Sequence, residues 1–185
     1  PKSPGVTVLR DVPLADLRPF IDWTPFFRTW ELAGRYPAIL EDAVVGAQAQ
    51  SVFADATALL DELCASGAVK ANGVVGLFPA NRAGADDVTI WADATRREAR
   101  ATLHMLRQQI PRPAGQPARS LADYVAPAGT ADWVGAFCVT AGVGLAPLVE
   151  AAKAAHDDYR AIMLEALADR LAEAFAEYLH AKVRT

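Results

Sequence analysis

"RPFIDWTPFFRTW", residues 18–30, concentrates a third of the chain's fifteen aromatic side chains around one carboxylate, Asp22. The five aromatics are Phe20, Trp23, Phe26, Phe27 and Trp30. A charge without a partner is strongly unfavourable in a protein core, so the place of Asp22 needs an explanation. One explanation is local, because a short helix is predicted over residues 24–33 with Thr24 as N-cap and Pro25 in its first turn. An acid at such a helix start is favoured by the helix dipole.

Helical patterns flank this stretch and return at the end of the chain. The proline-rich residues 1–19 are expected to be extended, without regular structure. Apolar residues at helical spacing predict a first long helix over residues 38–65, and Gly67 is a suitable stop for it. Residues 146–184 predict two more helices, one opened by Pro147 and one beginning at Asp157 and Asp158.

The middle of the chain carries strand patterns instead. The strand candidates are residues 73–80, 86–93, 101–109 and 132–142. The segment "NRAGAD" between the first two has the chemistry of a hairpin loop. Residues 101–109 also fit a helical spacing, and we favour a strand because it would widen the sheet. Arg107, Gln108 and Gln109, which close this segment, either shape a pocket or satisfy backbone groups. We therefore predict an α+β fold, a central antiparallel sheet packed by long helices at both ends of the chain, as a single domain over residues 1–185.

Composition excludes several classes of function. The net charge is −4 and the pI is about 5.4, without a basic stripe, so nucleic acid is not an expected partner. No signal peptide and no membrane-spanning apolar run are found, so we expect a cytoplasmic protein without a membrane partner. Two distant cysteines and three scattered histidines give little support to a metal site. Cys138, between Phe137 and Val139, is expected to be a buried small hydrophobe.

Seven stretches in a fixed order carry a resemblance to a known family. They are "IDWTPFFRTWELAGRYPAILED" (21–42), "GVVGLFPANR" (73–82), "LRQQ" (106–109), "LADYVAP" (121–127), "GAFCVTAG" (135–142), "HDDYRAIM" (156–163) and "ALADRLAEAFAEYLH" (166–180). Together they cover nearly the whole chain and resemble the C-terminal activation domain of cobalamin-dependent methionine synthase.

This resemblance implies a function and partners. It implies an α+β domain that binds S-adenosylmethionine and presents its methyl group to cobalamin held on another domain. The implied partners are the cobalamin-binding domain and a flavodoxin-type electron donor. By the same resemblance, Asp22 and Glu173 are the ligand-binding residues, and no residue of this chain is catalytic or binds a metal. Whether the chain counts as an enzyme stays open, since it would be one part of the 5-methyltetrahydrofolate–homocysteine methyltransferase without a complete active site.

Each of these residues also has a structural interpretation. Asp22 fits the start of a helix, and Trp23, Phe26 and Phe27 are expected in the core. Glu173 belongs to an acidic series at i, i+4 spacing, which is typical of a solvated helix face. The series is Glu165, Asp169, Glu173 and Glu177, and Arg170 is placed to relieve its repulsion. Asp169 matches a family position close to the cobalamin-binding domain, which implies a partner contact.

One departure from the family concerns the ligand site. In the family, an Arg-Pro-Ala-x-Gly-Tyr motif follows the last helix and wraps S-adenosylmethionine, whereas this sequence stops at "HAKVRT". Two interpretations stay open: a fragment of a longer protein, or a short form that binds its ligand poorly or not at all. An alternative function is a non-catalytic interaction module that caps a cobalamin-binding protein without binding a small molecule. A free-standing reactivator of other corrinoid proteins is a weaker third possibility.

Overall fold

The computed structural model describes residues 1–184, which form five strands and five helices. The strands are β1 (Gly5–Val12), β2 (Lys70–Ala83), β3 (Asp87–Trp91), β4 (Ala99–His104) and β5 (Asp132–Val143). The helices are α1 (Leu14–Leu17), α2 (Trp23–Thr29), α3 (Gly46–Ser66), α4 (Leu145–Ala154) and α5 (Asp158–Arg184). The sheet has the order β1-β2-β3-β4, and β5 also pairs with β2. The predicted α+β class is confirmed, and the β2–β3 and β3–β4 pairs are antiparallel.

The chain divides into two compact units. We call residues 1–7 and 74–137 the sheet unit, and residues 8–73 and 138–184 the helical unit. Each boundary between them falls inside a strand, namely β1, β2 or β5. The prediction of a single domain over residues 1–185 stays a prediction.

The helical unit is built around α5. This helix buries most of the apolar stripe that its sequence predicts, although Ile162 of that stripe is 44% exposed. Helices α4 and α2 pack against it. Buried members of the stripe are Met163, Leu167, Leu171, Phe175 and Leu179. The polar side of α5 stays exposed, so the amphipathic pattern orients the helix. Within residues 1–184, no helix combines the length and the hydrophobicity that crossing a bilayer requires.

The sheet unit has its own small core under the β2–β3 hairpin. Val88 and Ile90 are buried on one face of β3, as their alternation predicts. The hairpin register pairs Ala83 with Asp87, and Gly84 takes a positive φ of 60° in the loop between them. The predicted hairpin is therefore confirmed.

Arg107 anchors the proline-rich segment that follows β4. Its guanidinium contacts Asp86 at 2.9 Å and both oxygens of Asp123 at 2.8 Å, and it donates to the carbonyls of Ala85 and Ala118. These bonds raise the pKa of Arg107 and hold the pKa of Asp123 well below its usual range. Of the two interpretations of Arg107, the structure supports the satisfaction of backbone groups.

Three local predictions were wrong. Residues 5–12 form a strand, because the prolines at positions 4 and 13 bracket it and do not interrupt it. The first long helix begins at Gly46, since the carboxylate of Asp42 accepts hydrogen bonds from the next backbone amides and holds a turn there. Val44 therefore precedes the helix and is 90% exposed. Cys138 is exposed on β5 and not buried. The predicted stop at Gly67 is confirmed, with φ of 60°.

Candidate functional site

Asp22 is the N-cap of α2. Its Oδ1 accepts a hydrogen bond from the backbone N–H of Thr24 at 2.9 Å, and its own backbone is extended. The cap was predicted at Thr24 and lies two residues earlier, because the carboxylate can reach the free amides of the first turn. Asp22 is exposed. Within residues 1–184, its second oxygen, Oδ2, has no hydrogen-bond partner, so the cap occupies only half of the carboxylate.

The aromatic side chains after Asp22 enter the core of the helical unit. Phe26 and Phe27 are fully buried, and Trp23 is 8% exposed. Trp23 meets Phe26 and Phe53 edge to face, with ring centroids 5.3 and 4.9 Å apart. The prediction that these three residues belong to the core is confirmed. They place the capped end of α2, and with it Asp22, at the border of an aromatic cluster.

Tyr36 is an exposed member of the same cluster, which we did not predict. Its backbone N–H donates to the Thr24 hydroxyl at 3.3 Å, so it is anchored to the first turn of α2. Its ring lies 6.4 Å from Phe27 and 5.3 Å from Phe53, measured between centroids. The only local signal is an aromatic residue before a proline, which is too common a pattern to indicate a site.

Glu173 lies on the exposed face of α5. Its side chain is 67% exposed and faces Arg170, its nearest cationic partner, at 3.7 Å. The other acids of the series, Glu165, Asp169 and Glu177, are exposed as well. The predicted relief of their repulsion by Arg170 is thus confirmed for Glu173. A pair at 3.7 Å with such exposure is weak, so the Glu173 carboxylate is available to a ligand or a partner.

The structure places Asp22 and Glu173 on elements that pack against each other. The turn at Arg18–Phe20 and helix α2 both contact α5. Phe20 meets Tyr178 at 5.7 Å, and Trp30 meets Tyr159 at 4.8 Å, so residues 20–30 run antiparallel to α5. Asp22 therefore lies towards the C-terminal half of α5, which also carries Glu173. The two carboxylates belong to one unit.

A second polar cluster lies in a groove of about 280 Å³ between α3 and α5. Tyr159 donates to Asp55 at 2.8 Å, and Arg160 pairs with Glu62 at 2.6 Å. Burial and the bond to Asp55 raise the pKa of Tyr159 to about 12. These four groups pair with one another, so the cluster links α3 to α5.

The structure is thus an α+β module whose helical unit carries two exposed carboxylates, Asp22 and Glu173. A family model described as the vitamin B12 dependent methionine synthase activation domain matches residues 13–185. This chain belongs to that family. It is also similar to a crystal structure of the MetH reactivation domain bound to AdoHcy, with 54% sequence identity and a TM-score of 0.92. The match covers 98% of this chain and 55% of that one, so the chain spans about half the length of that relative.

Proposed function

We propose that this chain binds S-adenosylmethionine through Asp22 and Glu173 and supports the reactivation of methionine synthase. The observation that carries the proposal is its family membership together with 54% identity to a reactivation domain bound to AdoHcy. The exposure of the Asp22 and Glu173 carboxylates supports the proposal, because a ligand can reach both.

The chemistry of the two residues fits such a ligand. S-adenosylmethionine carries an α-ammonium and a sulfonium, both of which favour nearby negative charge. Among residues 1–184, one carboxylate oxygen of Asp22 has no hydrogen-bond partner, and hydrogen bonds between charged groups are the stronger kind. Because its other oxygen is fixed by the N–H of Thr24, the acceptor is held in place before the ligand arrives. Glu173, only weakly paired with Arg170, supplies a second acceptor from α5.

In this proposal the chain binds and orients, and the reacting centre lies on another domain. When bound, S-adenosylmethionine supplies the methyl group that, with one electron, converts inactive cob(II)alamin to methylcobalamin and leaves S-adenosylhomocysteine. This chain would hold the ligand in the right position relative to the cobalamin-binding domain, which we propose as the partner of this chain. We also propose a flavodoxin-type protein as the electron donor and the cytoplasm as the location, as the family resemblance implies.

A second candidate function rests on the acidic face of α5. Glu165, Asp169, Glu173 and Glu177 stay exposed along one side of this helix, although like charges at this spacing destabilise it slightly. Such a face suits docking to a partner protein, with Asp169 as one contact. In this reading the chain caps a cobalamin-binding protein and binds no small molecule.

Calorimetric titration separates the two functions. We expect S-adenosylmethionine to bind the 185-residue chain and binding to weaken in Asp22→Asn. The matched control is Asp16→Asn, which removes another exposed aspartate of the same unit and should leave the affinity unchanged. No binding to the unsubstituted chain, together with association with a separately prepared cobalamin-binding domain, would favour the interaction module.

A further inference from the structure

We infer that Tyr36 supplies an aromatic wall of the S-adenosylmethionine site, an inference that rests on the function proposed above. Tyr36 is 37% exposed, whereas Trp23, Phe26 and Phe27 are buried. Of the aromatic cluster beside Asp22, it is the ring that a ligand can reach most easily.

The position of Tyr36 relative to Asp22 is set by one residue. Thr24 donates its backbone N–H to the Asp22 carboxylate at 2.9 Å and accepts the backbone N–H of Tyr36 on its hydroxyl at 3.3 Å. Both groups are therefore tied to the first turn of α2. A ligand whose ammonium pairs with Asp22 has its remaining atoms within reach of the residues at this turn.

Two core aromatics, Phe27 and Phe53, set the orientation of the Tyr36 ring. Phe27 is nearly parallel to it, with an interplanar angle of 16°, and Phe53 is tilted by 37° at 5.3 Å. These contacts support part of the ring and leave its exposed part available. A ring held in this way loses little freedom when a ligand stacks on it, which favours binding.

The chemistry of the ligand matches an aromatic face. Adenine stacks on aromatic side chains, and a sulfonium is attracted to the electron-rich face of a ring. The Tyr36 hydroxyl makes no hydrogen bond within residues 1–184, so the fold does not depend on its oxygen. The inference therefore assigns the contact to the ring and not to the hydroxyl.

The alternative is that Tyr36 only covers the aromatic core. In that case its replacement would lower stability without changing ligand affinity in the folded protein. Tyr159 offers a matched control, because it is 43% exposed, lies in the same unit and contacts Trp30 at 4.8 Å. It belongs to the groove between α3 and α5, where the polar groups are already paired.

The test is calorimetric titration of S-adenosylhomocysteine into the unsubstituted chain, Tyr36→Phe, Tyr36→Leu and Tyr159→Leu, with a thermal melt of each. We expect Tyr36→Leu to raise Kd about tenfold, and Tyr36→Phe and Tyr159→Leu to stay within about twofold of the unsubstituted chain. If Tyr36→Leu does not fold, Tyr36→Met, with its longer and more adaptable side chain, replaces it.

The outcomes separate this inference from the proposed function. Binding to the unsubstituted chain with unchanged affinity in Tyr36→Leu overturns only the role of Tyr36, as does an equal loss in Tyr159→Leu. No binding to the unsubstituted chain overturns the proposed function and this inference together.

Discussion

Asp22 has two separable roles, and substitutions can test each independently. The carboxylate caps α2 through one oxygen and, in our proposal, binds the ligand ammonium through the other. Alanine removes both functions. Asparagine keeps an oxygen that can accept the N–H of Thr24 but loses the charge.

The expected magnitudes follow from these two bonds. Replacing an N-cap aspartate by alanine costs about 1 kcal/mol of unfolding free energy, whereas asparagine is nearly as good a cap. In a chain of this length, 1 kcal/mol corresponds to a fall in Tm of about 2–4 °C. A hydrogen bond between charged groups contributes about 1.5 kcal/mol or more, so loss of the charge should raise Kd about tenfold.

The two variants should therefore differ in stability and agree in binding. Asp22→Ala should melt about 2–4 °C below the unsubstituted chain, and Asp22→Asn within about 1 °C of it. Both should bind S-adenosylmethionine about tenfold more weakly in calorimetric titration. Unchanged affinity in Asp22→Asn would refute the ligand contact and leave Asp22 as a helix cap. Equal melting temperatures of Asp22→Ala and the unsubstituted chain would show that the N-cap hydrogen bond of Asp22 does not stabilise the fold.

Three further predictions concern other parts of the molecule. Glu173→Gln should weaken S-adenosylmethionine binding by about fivefold or more, and Glu177→Gln by less than about twofold, since only the first removes a proposed ligand contact. Gly73→Ala should lower the urea-unfolding free energy by about 1–3 kcal/mol, because its Cβ would lie 2.9 Å from the buried ring of Phe175. Asp123→Asn should flatten the dependence of the unfolding free energy on pH below about pH 4. The pKa of Asp123 is lower in the folded protein than in the unfolded chain. Its ionised form therefore stabilises the fold above the unfolded pKa, and this stabilisation is lost as the pH falls.

Matched controls accompany these predictions. Equal effects of the two glutamate substitutions would mean that the acidic face of α5 acts only as bulk charge. Gly142→Ala controls for Gly73→Ala, because an added Cβ at Gly142 meets no atom within 4 Å, and an equal cost at both positions would contradict the packing argument. An unchanged acid-unfolding profile in Asp123→Asn would show that its bonds to Arg107 add no pH-dependent stability.

The parts of the fold that were predicted correctly depend on local patterns. Helix α5 follows from its apolar stripe, and the β2–β3 hairpin from the alternation around Val88 and Ile90 with a glycine loop. The wrong predictions depend on interactions that the apolar pattern does not contain. Asp42 delays the start of α3 through side-chain hydrogen bonds. Residues 5–12 pair with β2, which lies about sixty positions later in the chain. The backbone N–H of Asp11 also donates to the side-chain oxygen of Asn72 on that strand.

The candidate site was only partly accessible to sequence reasoning. The residues around Asp22 favour a helix start, which the structure shows, and the proposed ligand role comes from the family resemblance. Tyr36 could not be predicted, because Phe53 lies seventeen positions away along the chain and meets it only in the folded state. The roles of Asp22 and Glu173 in binding stay predictions until they are measured.

The boundaries between the two units have a consequence for how this protein can be cut or recombined. Each crossing, after residues 7, 73 and 137, lies inside a strand, so a fragment that ends there would carry half of β1, β2 or β5. Half-strands lose hydrogen-bond partners and expose edges that favour aggregation. A protease that needs a flexible linker has no good substrate at these three positions. A fusion protein that uses this fold should therefore contain both units as one continuous segment.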